Sequence, residues 1–253
     1  MKQPSSQLPN TTHRSPHAAL VIFAKAPIPG EVKTRLCPPL TPDEAATLHG
    51  SFVLDMLERS KTAVAKLKLP LDRYLACMPS STLVFFKIME ERQSVKLIDQ
   101  AGDDLGRRMQ HTFETMFAKQ YQLVFIVGTD VPSLPLDHYT QALALLEKND
   151  LVLGPAFDGG YYLIGLKHMV PDLFVGIPWS TDRVLEMTQE KAATLGLKTA
   201  LLPPWRDVDT IEDLQALIET SALDAKKPKN EQSFSTRTAG TLQLLAKRLQ
   251  SRI

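Results

Sequence analysis

The chain has 253 residues, of which 43% are hydrophobic and 23% charged, and its formal net charge is +1. These proportions are ordinary for a globular protein, and the near-zero charge excludes the overall basic excess that duplex nucleic-acid binders show. Two cysteines are too few for a disulfide framework, and no apolar run reaches the ~18 residues of a membrane span. We expect a cytoplasmic protein whose polar residues 1–17 form a disordered tail rather than a secretion signal.

Segments typical of strands and helices alternate along residues 18–223. Apolar runs rich in valine and isoleucine predict strands, and apolar residues at helical spacing after a capping residue predict helices. In chain order, the predicted elements are a strand at 18–24, a helix from 41, strands at 74–77 and 95–98, a helix at 105–117, a strand at 121–127, a helix at 138–146, strands at 151–153 and 161–166, a helix ending at 195, a strand at 198–202 and a helix at 210–218.

This alternation predicts an α/β fold with a Rossmann-like, mainly parallel twisted sheet and helices on both faces. Ligands of such sheets bind beyond the carboxyl ends of the strands. We assign residues 18–223 to one domain and residues 224–253 to a polar linker followed by a C-terminal helix. That helix could pack on the core or on a second copy of the chain, so a homodimer is left open.

A proline-rich loop with three basic residues follows the first predicted strand. Backbone N–H groups and cationic side chains at this position cradle phosphates in α/β nucleotide enzymes. Lys25, Lys33 and Arg35 could therefore neutralise a diphosphate or triphosphate. The glycine spacing matches neither a P-loop nor a dinucleotide fingerprint, and a solvated basic loop is an equal alternative.

Three aspartates are candidate ligands for Mg²⁺ or Mn²⁺, which take carboxylate, phosphate and water oxygens. Asp130 stands at the end of the clearest strand, in Gly128-Thr129-Asp130. Asp207 and Asp209 precede a helix whose start Thr210 already caps, so neither is needed as the cap. The alternative for Asp130 is an aspartate that caps the following turn.

The segment 154–162 combines paired glycines with Asp158, Tyr161 and Tyr162. Glycines allow close approach of the backbone to a ligand, and the other residues offer hydroxyl-binding groups and a stacking surface that suit sugars and nucleosides. An Asp-Gly turn followed by an edge strand explains the same pattern equally well. Trp179 could close a pocket, although filling the core is the commoner role.

These stretches occur in an order that resembles a known family. Together they are similar to the bacterial rSAM/selenodomain-associated transferases, also called arsenosugar-biosynthesis glycosyltransferases, over roughly 18–218, and more distantly to the 2-phospho-L-lactate guanylyltransferases. The matching blocks are Phe23 to Pro27, Pro29-Gly30, Lys33 to Leu36, Gly102, Leu105 to Met109, Gly128 to Asp130, Gly154-Pro155, Asp158 to Tyr162, Trp179 to Thr181 and Asp207 to Thr210.

The resemblance implies a glycosyltransferase A-like, nucleotide-diphospho-sugar transferase fold with Mg²⁺ or Mn²⁺ as cofactor. It implies catalytic roles for Asp130, Asp158, Lys33 and Arg35 and metal ligation by Asp130, Asp209 and Asp207. The implied nucleotide-binding residues are Ala24, Lys25, Pro29, Gly30, Lys33, Arg35, Gly102, Leu105, Arg108 and Thr129. The implied substrate-binding residues are Asp158, Gly159, Gly160, Tyr161, Tyr162, Trp179, Ser180 and Thr181.

The expected reaction is glycosyl transfer from a nucleotide-sugar to a small-molecule acceptor. Val131 and Pro132 follow Asp130, so the strand end lacks an Asp-x-Asp triplet, and transfer of a nucleotidyl group from a nucleoside triphosphate is the alternative. A catalytically silent nucleotide-binding protein is a further alternative, although two candidate metal carboxylates argue against it.

Overall fold

The computed structural model describes residues 17–228 and 232–250. Within these residues, strands and helices alternate as predicted. The strands are β1 Ala18–Lys25, β2 Leu71–Met78, β3 Lys96–Asp99, β4 Leu123–Gly128, β5 Leu151–Pro155, β6 Tyr161–Leu166 and β7 Thr199–Leu201. The helices are α1 Pro42–Lys66, α2 Val84–Gln93, α3 Leu105–Ala118, α4 Asp137–Leu146, α5 Val184–Thr194, α6 Ile211–Asp224 and α7 Thr236–Gln250. Short 3₁₀ helices span Thr34–Leu36 and Pro171–Phe174.

The seven strands form one sheet in the order β3-β2-β1-β4-β6-β5-β7. The pairs β1–β2, β1–β4, β2–β3 and β5–β7 are parallel, whereas β6 runs antiparallel to both β4 and β5. Ala18 aligns with Leu71 and Leu123, so the three central strands start together and their carboxyl ends meet at one edge. The mainly parallel sheet predicted from the sequence is confirmed.

Helices cover both faces of this sheet. Successive residues of β1 enter opposite clusters because side chains of a strand alternate between faces: Leu20 and Ile22 pack with α1, α2 and α4, and Val21 packs with α3. Helix α2 is an element that the sequence analysis did not identify. It packs Phe86, which is fully buried, into the first of these clusters.

A third apolar cluster joins the carboxyl-terminal helices to α1. Leu242 and Leu245 of α7 pack there with Leu217 of α6 and Phe52 of α1. Helix α6 runs six residues beyond the predicted end at Ile218, since its amphipathic pattern continues to Asp224.

The segment after α6 is tied to the fold more firmly than a polar linker would be. Its described residues include Ser233 and Phe234, whose backbone N–H groups both donate to the Asp224 carboxylate. Residues 229–231 of the predicted linker lie outside the described part of the chain, as do residues 251–253. So do residues 1–16 of the predicted tail, whereas His17 stacks on Tyr121 with ring centroids 4.3 Å apart. No helix in the described ranges has both the length and the apolarity to cross a bilayer.

Candidate active site

Four segments converge at the carboxyl-terminal edge of the sheet. Loops after β1, β4 and β5 meet the stretch 205–209, which crosses the strand ends. Trp205 N–H donates to the Pro155 carbonyl, and Val208 N–H donates to the Asp130 carbonyl, each at 3.0 Å. A parallel bridge also pairs Ala156 with Trp205. These backbone contacts bring Asp130 and the Asp207–Asp209 pair to the same edge, as predicted.

Lys33 lies between two of the predicted metal ligands. Its Nζ is 2.6 Å from Asp130 Oδ1 and 2.8 Å from Asp209 Oδ1, and it donates to the Val208 carbonyl at 2.8 Å. Burial alone lowers the pKa of Lys33, but the charges of Asp130 and Asp209 outweigh that effect and raise it above its ordinary value. Lys33 is therefore charged and internally paired.

His49 of α1 is a residue of this site that the sequence analysis treated as structural. Its Nε2 is 3.1 Å from the Lys25 carbonyl and its Nδ1 is 4.0 Å from Asp130 Oδ1. Burial lowers the pKa of His49, against the opposing charge of Asp130, and this favours the neutral ring. A lone histidine in a helix carries no sequence signal for this contact.

Asp158, Asp207 and Asp209 form an acidic cluster next to Lys33, which contacts Asp209. Each contributes one carboxylate oxygen to a group in which all oxygens lie within 4.8 Å of one another. Burial, followed by the charges of Asp158 and Asp209, raises the pKa of Asp207 to about 7. The parallel bridge that continues from β5 to 205 explains why Asp158, predicted as a base, lies here beside Asp207.

The donor set of this cluster fits a hard divalent cation. Mg²⁺ and Mn²⁺ prefer carboxylate oxygens, and a cation offsets the repulsion that holds a proton on Asp207. Asp207 and Asp209, two of the expected metal ligands, belong to this cluster, and the third, Asp130, contacts Lys33 and acts through its charge on Asp207. The three residues that could hold the ion are therefore Asp158, Asp207 and Asp209.

The rest of the basic loop faces solvent. Lys25 and Arg35 are exposed and have no ion-pair partner in the described part of the chain. Pro29 and Gly30 are exposed as well, and Gly30 adopts a φ of +82° that favours glycine. These residues remain accessible to a ligand's phosphates, in contrast to Lys33.

Gln100 is another residue that the sequence analysis missed near this edge. Its side-chain N–H group donates to the carbonyls of Ala24 and Ala76, which ties the ends of β1 and β2 together. The Ala24 carbonyl, placed in the predicted nucleotide site, therefore already has a donor.

The loop at the start of α3 contains three predicted nucleotide-binding residues. Gly102 has a φ of +137°, and its carbonyl accepts from Arg108 Nε at 3.0 Å. Leu105 is exposed, and Asp104 caps the helix by accepting from the Arg107 N–H group. Thr129, another expected nucleotide-binding residue, is buried next to Asp130.

The glycine-rich segment is held against the start of α5. A Cβ atom on Gly159, which has a φ of +88°, would lie 2.0 Å from the Asp182 carbonyl oxygen. Gly160 N–H donates to Asp158 Oδ1 at 2.9 Å, so the turn fixes the Asp158 carboxylate. Glycine at position 159 is required by close packing of the backbone.

The two tyrosines that follow are placed differently from the prediction. Tyr162 is buried, its ring fills the space above Gly154, and its hydroxyl donates to the Pro203 carbonyl at 3.0 Å. The Tyr161 hydroxyl is also buried. The Tyr162 ring therefore packs inside the fold, whereas Tyr161 is partly buried and packs against the cluster on the opposite face of the sheet.

Trp179 connects two of the sequence blocks. A Cβ atom on Gly106 would lie 2.2 Å from Trp179 Nε1, so the indole packs directly on the first turn of α3. Ser180 has a φ of +66° and Thr181 Oγ1 donates to the Pro178 carbonyl, which makes the block a tight turn. The structure thus places these three expected substrate-binding residues in a turn that packs on α3 through Trp179.

The fold and this site define a transferase of the nucleotide-binding α/β class. A family model described as "Uncharacterized protein conserved in bacteria (DUF2064)" matches residues 62–181. A candidate nucleotide-diphospho-sugar transferase from Desulfovibrio desulfuricans G20 is 34% identical over 93% of this chain and 98% of its own, with a TM-score of 0.79. The chain therefore belongs to the family of nucleotide-diphospho-sugar transferases.

More distant solved structures share the fold. A cytidylyltransferase from Leptospira borgpetersenii is 14% identical over 92% of this chain and 95% of its own, with a TM-score of 0.52. The 4-diphosphocytidyl-2C-methyl-D-erythritol synthase from Anaerococcus prevotii is 13% identical over 79% and 95%, with a TM-score of 0.50. No curated protein matches the chain. The narrower rSAM-associated or arsenosugar group remains a prediction.

Proposed function

We propose that this protein transfers a glycosyl group from a nucleotide-diphospho-sugar to a hydroxyl group of a small-molecule acceptor, with Mg²⁺ or Mn²⁺ as cofactor. The observation that carries the proposal is the acidic cluster of Asp158, Asp207 and Asp209 at the strand ends, next to a loop with exposed cations. The 34% identical nucleotide-diphospho-sugar transferase supports the choice of donor.

The chain's own residues perform three tasks in this proposal. Lys25 and Arg35 bind the donor's diphosphate, Arg35 by forking onto two oxygens. The Gly159 turn orients the Asp158 carboxylate, of which one oxygen contributes to the ion site and the other accepts the proton of the acceptor hydroxyl. The cation held by the cluster would offset the charge of the departing nucleoside diphosphate. Most of the rate enhancement comes from positioning the two substrates.

Nucleotidyl transfer is a second candidate, favoured by the exposed positive charge of Lys25 and Arg35. In that reaction a phosphorylated acceptor attacks a nucleoside triphosphate, and pyrophosphate leaves. The internal pairing of Lys33 reduces the positive charge available to a triphosphate, so this candidate ranks second. The cytoplasmic location and the homodimer expected from the sequence also remain predictions.

Product analysis tests the proposal. The protein is incubated with Mg²⁺ or Mn²⁺, a mixture of small hydroxylated and phosphorylated acceptors, and either nucleotide-sugars or nucleoside triphosphates, and the phosphorus products are identified by ³¹P NMR. Release of nucleoside diphosphate from a nucleotide-sugar, abolished by EDTA, is the expected result. Pyrophosphate release from a triphosphate would replace the proposal with the second candidate. If neither product forms, the result would favour a catalytically silent nucleotide-binding protein.

A further inference from the structure

Lys33 is enclosed by oxygen atoms rather than directed at the open edge. Asp130 Oδ1, Asp209 Oδ1 and the Val208 carbonyl lie 2.6 to 2.8 Å from its Nζ, and the side chain is only 4% exposed. An ammonium group has three N–H donors, and three acceptors surround this one. Two of the donors bond to Asp209 Oδ1 and the Val208 carbonyl, and Asp130 Oδ1 contacts the ammonium as an ion pair without an aligned hydrogen bond.

The local backbone supports a dedicated role for this contact. Lys33 has a φ of +50°, a left-handed conformation that residues with a Cβ rarely adopt. The strained backbone directs the side chain inward, away from Lys25 and Arg35, which stay exposed. Strain of this kind persists only when the surrounding contacts determine the conformation.

The oxygens around Nζ have the chemistry of a cation site. Two carboxylates and a backbone carbonyl are the ligands that hard divalent cations take, with Ca²⁺ at about 2.3–2.6 Å. Asp130 Oδ1 is buried and has no well-aligned hydrogen bond, although the ammonium is 2.6 Å away. A spherical charge would satisfy this oxygen without any directional requirement.

We propose that Lys33 is a built-in cation: its ammonium occupies a latent divalent-ion site formed by Asp130, Asp209 and the Val208 carbonyl, and it positions both carboxylates instead of binding donor phosphate. Lys33 is thus a positioning residue. The inference rests on the proposed function in one respect, the separate ion at Asp158, Asp207 and Asp209, and the test below distinguishes the failure of either.

Counting bound Mn²⁺ by electron paramagnetic resonance tests this directly. The variant Lys33→Ala removes the ammonium and opens its space, so it is expected to bind one Mn²⁺ more per chain than the unaltered protein. Lys33→Arg keeps the positive charge and is the matched control, expected to bind no additional ion. Equal counts for the unaltered protein and a folded Lys33→Ala variant would overturn the inference.

This experiment tests the two proposed ion sites separately. If the unaltered protein binds none and Lys33→Ala binds one, the latent site stands and the metal of the proposed function falls. If both bind one, the metal stands and the latent site falls.

The unaltered protein supplies a second measurement, which holds even if Lys33→Ala does not fold. Lysine modification by trinitrobenzenesulfonate is followed residue by residue by mass spectrometry, with and without inorganic pyrophosphate. Lys25 is expected to react at least tenfold faster than Lys33 and to be protected by pyrophosphate, with no effect on Lys33. Equal rates together with protection of Lys33 would make it a phosphate ligand and contradict the proposal.

Discussion

Aspartates at the two ends of the central sheet have opposite environments, and their pKa values shift in opposite directions. At the amino-terminal end, Asp72 accepts from the Tyr121 hydroxyl at 2.5 Å and from Lys96 Nζ at 3.1 Å, and these contacts hold its pKa below the ordinary range. At the carboxyl-terminal end, Asp207 is partly buried beside Asp158 and Asp209, and its pKa is raised to about 7. The Asp72 carboxylate accepts hydrogen bonds from neighbouring side chains, whereas the Asp207 carboxylate lies beside other carboxylates of the same charge.

This difference separates structural from functional charge. A carboxylate that the fold supplies with donors contributes to stability, whereas clustered carboxylates cost stability unless a ligand balances them. Functional sites are where proteins retain such a cost. Asp209 combines both situations, because it is paired with Lys33 and also belongs to the cluster.

The largest expected effect is on catalysis by Asp209→Asn. Losing a charge that serves both the ion and Lys33 should lower the transfer rate by about 10²–10³-fold, the usual cost of one electrostatic stabiliser. Asp172→Asn, an exposed aspartate outside the site, is the control and should leave the rate unchanged. Near-normal transfer by Asp209→Asn would remove the functional meaning of the comparison.

The next effect concerns the turn that carries Asp158. Gly159→Ala should lower the free energy of unfolding by about 2–4 kcal/mol, because the new Cβ overlaps the Asp182 carbonyl. Gly176→Ala is a matched control, since Gly176 also has a positive φ, +76°, but has open space around it; it should cost about 1 kcal/mol. Urea unfolding measures both, and equal losses would show that the turn is not held against α5.

The pH dependence of stability tests for unbalanced charge at Asp207. Asp207 holds its proton more tightly in the folded protein, with a pKa of about 7 against an ordinary 3.8, so its ionisation costs stability increasingly between these values as the pH rises. In EDTA, the free energy of unfolding should fall on the order of 1–2 kcal/mol more between pH 5 and 8 than in Asp207→Asn. Identical pH profiles would argue against unbalanced charge at this end.

The smallest effect is at the other end of the sheet. Asp72→Asn should destabilise the protein by about 0.5–1 kcal/mol at pH 8, since it weakens partly exposed contacts with Tyr121 and Lys96. Asp207→Asn should instead stabilise the metal-free protein at the same pH. Thermal unfolding of the two variants measures both changes in stability, and shifts in the same direction would show that the two aspartates do not differ in this way.

The fold could be predicted from the sequence where local chemistry determines it. The capping boxes at Thr41 with Glu44 and at Thr210 with Asp213 both form, because each involves residues three apart. The strand pattern was equally informative, since buried parallel strands are continuous apolar runs. The α2 helix was missed because its apolar residues are mixed with charged ones.

The pairing within the site could not be predicted in the same way. Lys33 and Asp209 are 176 positions apart, and no local sequence pattern shows that Lys33 pairs with this aspartate rather than with a phosphate. Asp158 reaches the cluster because backbone contacts of Pro155 and Ala156 with Trp205 bring the two segments together. Residue types at strand ends indicated the location of the site, whereas its internal partners depend on tertiary contacts.

We propose that the unbalanced aspartates at the carboxyl-terminal edge hold a divalent cation. Anomalous difference maps from crystals grown with Mn²⁺ test it most directly. We expect a peak within coordination distance of Asp158, Asp207 and Asp209, and its loss in Asp207→Asn crystals. A fully Mn²⁺-soaked crystal without a peak at these carboxylates would contradict it.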